Sequence, residues 1–133
     1  MFDLNSLAIN KTTFDLQLRH PTTDEPLFAD KEDTKPLIIT VFGPSSKEHR
    51  QATAAIQSKH LRRGTKKASL NELKEDSVEF LAACTEGSKN FVVEGKEPKT
   101  LADFKELYSN ASYDWIRKQV DEAIGDVANF LTK

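Results

Sequence analysis

At 133 residues, the chain has the length of one domain and can bury a core without disulfide or metal staples. Its single cysteine, Cys84, excludes an internal disulfide, and no stretch approaches the ~18 apolar residues of a membrane span. Met1 to Lys11 lacks the basic start and apolar region of a secretory signal, so the expected location is the cytoplasm.

The first third reads as β. Phe14, Leu16 and Leu18 alternate with Asp15, Gln17 and Arg19, the period of a half-buried strand. His20 to Pro26 is turn chemistry, and Leu27-Phe28 opens a return strand. Asp30 to Asp33 is an acidic loop. Leu37 to Phe42 is β-branched and almost wholly apolar, which predicts a well-buried strand, entered at Pro36 and ended by Gly43-Pro44.

The remainder reads as helix. Ser45-Ser46-Lys47-Glu48 predicts a capping box, with a helix running to about Arg63 and stopped by Gly64. Its apolar face is thin: Ala52, Ala55, Ile56 and the stem of Lys59. Ser69 to Glu72 is a second capping box, followed at helical spacing by Leu70, Leu73, Ser77, Phe80, Leu81 and Cys84. Residues 85–99 are expected to be a loop with an apolar patch, Phe91-Val92-Val93, that is either a short strand or a plug on the core. A third helix starts at Thr100 and carries Leu101, Phe104, Leu107 and Tyr108. The last helix begins near Ser112 or Tyr113 and carries Ile116, Val120, Ala123, Ile124, Val127 and either Phe130 or Leu131, with Gly125 expected inside it. The expectation is a single α+β domain over 1–133: an N-terminal β-hairpin or small antiparallel sheet in 1–43, then about four α-helices in 44–133.

No catalytic, cofactor or metal site is expected. His49 and His60 are eleven residues apart on one predicted helix, and His20 sits in a turn, so no pair has metal-ligand spacing. Cys84 lies in an apolar run where a thiol is inert. Gly43-Pro44-Ser45-Ser46 lacks the glycine spacing and lysine of a phosphate loop. No carboxylate is placed by the sequence in an apolar setting that would tune it for acid–base work.

Charge distribution is more informative than net charge. Residues 44–67 carry seven basic and one acidic side chain inside a chain whose total is −2. Arg50, Lys59, Arg62, Arg63, Lys66 and Lys67 are therefore candidates for self-association or partner binding. No aromatic residue is interleaved for base stacking, which disfavours nucleic acid as the partner. Tyr113 and Trp115, with Phe104, Tyr108 and Phe130, form an aromatic cluster read as helix–helix core with Tyr113 and Trp115 as candidate interface residues.

Two regions resemble the tail assembly chaperones of long-tailed (siphovirus-type) phages and prophages, in their short form. The stretch Phe14 to Leu27, an alternating strand followed by His20-Pro21 and small polar residues, resembles that family's opening hairpin. The strand ending at Gly43, then Ser45-Ser46 and the helix with Arg50 and Ala52, is similar as well, as is the ending through Phe104, Leu107-Tyr108, Trp115-Ile116, Gln119-Val120 and Asn129-Phe130. The middle departs: members often carry a Gly-Trp pair where this chain has Lys89 to Val93. The resemblance implies a protein that binds and solubilises the tape measure protein, promotes tail tube assembly, and contacts the tube protein through a frameshifted longer form. It implies a protein working in the bacterial host cytoplasm and not retained in the mature virion, with no cofactor and no membrane. The charge segregation, a basic face at 47–67 opposite acidic faces, adds the expectation of a homo-oligomer whose copies stack head to tail. The alternatives are a nucleic-acid-associated accessory protein using residues 47–67, or a structural tail or head–tail connector component.

Overall fold

The computed structural model describes residues 1–64, 66–67 and 69–131. Three strands, β1 (Thr13–Gln17), β2 (Ile38–Phe42) and β3 (Thr85–Lys89), form an antiparallel sheet in the order β1-β2-β3. Four helices accompany it: α1 (Lys47–Arg63), α2 (Leu70–Ala83), α3 (Leu101–Ser109) and α4 (Asp114–Gly125). The fold is α+β, as the sequence predicts.

Alternation in β1 puts Leu16 inward and Asp15 outward, with Leu18 buried just beyond the strand. β2 also alternates. Ile39 and Val41 are fully buried, while Ile38, Thr40 and Phe42 are half-buried on the other face. The apolar run therefore encodes a central strand with one face in the core. Opposite Asp15, Thr40 donates its hydroxyl to the carboxylate at 2.7 Å. The return strand expected at Leu27-Phe28 is reduced to two isolated bridges, Arg19–Pro26 and Phe28–Pro36. Its backbone groups are satisfied there: the Leu27 amide donates to Leu18, and the Leu37 amide donates to Leu27.

β3 corrects the expectation that 85–99 is a loop, and puts one strand within the mainly helical 44–133. It follows α2 after Cys84 alone, and pairs with β2 from Ile38–Lys89 to Val41–Thr85 through a bulge. Gly87 lies in this strand opposite Thr40. Phe91 and Val93 pack on the core, while Val92 is exposed.

The helices cover one sheet face. α2 contributes Val78, Leu81 and Ala82; α3 contributes Phe104, Leu107 and Tyr108; α4 contributes Ile116, Val120, Ala123 and Ile124. α1 gives the core only Ala52, and Ala55 is exposed. Tyr108 places its hydroxyl 2.8 Å from that of Thr85, satisfying both inside the core. The Gln119 side chain pairs with both backbone groups of Arg19 at 2.8 Å and so fastens α4 to the end of β1.

The helix ends also revise the sequence reading. The N-cap of α1 is Ser46, which accepts from the His49 amide, so the Ser45–Glu48 capping box does not form. Ser45 instead donates to the Lys11 carbonyl. The Ser69–Glu72 box is present, and Thr100–Asp103 forms another. Gly125 is the last residue of α4 rather than an interior one, and open space surrounds it. The chain then bends so that Phe130 is fully buried while Val127 is exposed. Phe130 meets Phe14 edge-on, 6.2 Å between ring centres. A Cβ on Gly43 would lie 2.2 Å from the Phe130 ring, so the glycine that ends β2 is needed for this close approach.

Candidate protein-binding site

α1 and α2 form a helical hairpin whose packing differs along its length. At one end, cations of α1 meet carboxylates of α2. Asp76 is 6% exposed, although it is an acid on a surface helix. Arg63 grips it with two nitrogens: Nη2 donates to Oδ1 at 3.0 Å, and Nη1 lies 2.8 Å from Oδ2. Both of these last two atoms are buried, and His60 Nε2 also lies 3.9 Å from Asp76 Oδ2. Arg63 Nε also lies 3.0 Å from Glu72, which is itself aimed by the capping box with Ser69. Lys59 reaches Asp76 at 3.5 Å and pairs closely with Glu79. Arg63 holds the Asp76 carboxyl below the usual carboxylate value, and Asp76 in turn raises the Arg63 guanidinium. The pairing with Glu79 raises Lys59.

This arrangement splits the basic stretch. Lys59 and Arg63, one turn apart, face α2 and are consumed within the fold. Arg50, Arg62, Lys66 and Lys67 are exposed and make no ion pair among the described residues. Asp76 is the buried, ion-paired carboxylate that sequence reasoning missed. Its signal was present: acids at 72, 76 and 79 match cations at 59 and 63 once the two helices are set side by side.

Beside the ion cluster, the hairpin opens into a groove of about 440 Å³. α1 supplies Thr53, Ile56, Gln57 and His60, and α2 supplies Leu73, Asp76, Ser77 and Phe80, so the groove shares Asp76 with the ion cluster. Leu73 is 49% exposed, which corrects the expectation that it belongs to the buried face of α2. Leu70 is more exposed still. At the far end, His49 packs edge-on against Phe80 at 5.3 Å, and burial lowers its proton affinity.

Tyr113 and Trp115 do not join this groove. Trp115 is half-buried against the core, and Tyr113 lines a separate recess of about 180 Å³ with Val93, Pro98 and Leu107. Phe104 and Tyr108 stack at 6.1 Å, whereas Phe130 belongs with Phe14, so the aromatic cluster is divided.

Cys84 is fully buried, and burial pushes its thiol up to about 12, so it is protonated and unreactive at neutral pH. Among the described residues, no three His, Cys, Asp or Glu side chains are placed to hold a metal ion, and no helix is long and apolar enough to cross a membrane. The groove has the chemistry of a binding surface: an apolar floor with hydroxyl, amide and imidazole groups at its edge. Comparison with family models, curated proteins and solved structures finds no match for this chain.

Proposed function

We propose that the protein is a tail assembly chaperone of a long-tailed phage, acting in the host cytoplasm. It binds the hydrophobic tape measure protein, keeps it soluble until tail tube subunits assemble, and is absent from the finished virion. The reading rests on the resemblance of Phe14–Leu27, Gly43–Ala52 and Phe104–Phe130 to that family. The one structural observation that carries it is the open apolar groove between α1 and α2. Ile56, Leu73 and Phe80 offer a strip on which an amphipathic helix lays side chains spaced three and four residues apart. Many weak contacts of this kind along a long client add up through multivalency.

Co-expression with a tape measure protein tests this. The wild type raises the soluble fraction of the client, and Leu73→Asp, altering a half-exposed side chain, folds normally but does not. An insoluble client beside the wild type, or equal rescue by Leu73→Asp, overturns the reading.

A further inference from the structure

Two other surfaces are complementary in charge, and each carries apolar side chains. The first is the end of the α1–α2 hairpin. Leu61 is 81% exposed and Leu70 is 86% exposed. A single exposed leucine is ordinary. Here two flank Arg62, Lys66 and Lys67, three exposed cations with no ion-pair partner among the described residues. Arg50 lies twelve positions back, about 18 Å along the helix, and is not part of this patch.

The second surface is the recess bearing Tyr113. Its floor is apolar, from Val93, Pro98, Leu107 and the Tyr113 ring, and its rim carries Glu94, Glu97 and Glu106. These three glutamates are exposed, and none forms an ion pair among the described residues. Asp103 also lines the recess but is occupied in capping α3, and Lys96 is the one cation there. The rim is preformed. Val93 and Lys96 exchange both backbone hydrogen bonds across Glu94-Gly95, each with positive φ, the geometry of a tight hairpin turn. At about 180 Å³ the recess is of a size to accept one apolar side chain, since a cavity of about 150 Å³ holds a benzene ring.

We infer that the basic, leucine-bearing tip of one copy docks in the acid-rimmed recess of a second copy. Leu61 or Leu70 fills the apolar floor, while Arg62, Lys66 and Lys67 face Glu94, Glu97 and Glu106. Because the two patches differ, the contact is heterologous and leaves a free tip and a free recess at the ends, so copies add head to tail. Exposed charges steer the contact, so salt weakens it. The inference specifies the surfaces for self-association in the function proposed above. It uses no residue of the client groove, so either can fail alone.

Light scattering on the intact chain tests it. The wild type has a mass several times the 15.0 kDa monomer at low salt, falling toward the monomer in high salt. Arg62→Glu/Lys66→Glu is monomeric, and so is Glu97→Lys/Glu106→Lys. An equimolar mixture of the two recovers the high mass, since each tip then meets a recess of opposite charge; recovery also shows that both variants are folded. A wild type that stays monomeric at low salt, either variant associating like the wild type, or a mixture that stays monomeric overturns the inference. A basic tip used for nucleic acid instead gives this overturning pattern together with salt-sensitive duplex binding that Arg62→Glu/Lys66→Glu abolishes.

Discussion

Arg62 and Arg63 are neighbours in one helix with the same side chain and opposite fates. Arg63 points at α2, is largely buried, and neutralises Asp76 and Glu72. Arg62 points to solvent and makes no ion pair among the described residues. A step of about 100° around the helix separates a cation that holds the hairpin together from one left for a partner. A basic run in a sequence is therefore not a basic surface. Its positions are allotted by the acids of the next element, and the remainder forms the surface that other molecules meet.

The largest effect is expected from removing the acid that makes this allotment. Asp76→Ala leaves the Arg63 charge partly buried without its main partner and costs about 3 kcal/mol in urea unfolding. An Asp76→Leu/Arg63→Met pair restores much of that stability, because apolar replacement removes both desolvation penalties. Acid titration probes the same site. Asp76 has a folded-state pKa below its ordinary 3.8, so the unfolded chain takes up protons first. Its contribution is present above that ordinary value and lost as the pH falls through the lower, folded one. Unfolding followed against pH should accordingly show a shallower acid decline in Asp76→Asn than in the wild type. A smaller effect, about 1 kcal/mol by thermal unfolding, is expected for Ser69→Ala, which removes the cap of α2 and the group that aims Glu72 at Arg63. Smallest of all, Arg62→Ala should stay within about 0.5 kcal/mol of the wild type.

Much of this molecule was legible in sequence. The period of two in Phe14, Leu16 and Leu18 located β1, and the apolar run 37–42 located β2. Ser69 with Glu72, Thr100, and the stripe from Ile116 to Ile124 located three helices. β3 was not legible. Thr85-Glu86-Gly87-Ser88-Lys89 has no alternating apolar pattern, because an edge strand can be held by backbone pairing to β2 while offering the core little beyond Thr85. The shift of the α1 cap from Ser45 to Ser46 reflects a competing acceptor, the Lys11 carbonyl, which engages Ser45 from a distant part of the chain. The site was half legible. The cations were found as a group, but their division depended on the facing helix. Leu70 and Leu73 look like core by periodicity, yet among the described residues no element packs over that side of α2, and the exposed leucines instead line the groove and the basic tip. Of the two aromatic residues named as interface candidates, both pack partly on the core, and Tyr113 also lines a surface recess.

The division of the basic run is tested most directly by measuring stability and mass on the same samples of Arg62→Glu/Lys66→Glu and Arg63→Ala. The first pair should keep the wild-type urea midpoint and lose the high-mass species at low salt. Arg63→Ala should lower the midpoint while its folded fraction still associates. A midpoint lowered equally in both, or association lost in Arg63→Ala and kept in Arg62→Glu/Lys66→Glu, would contradict the account.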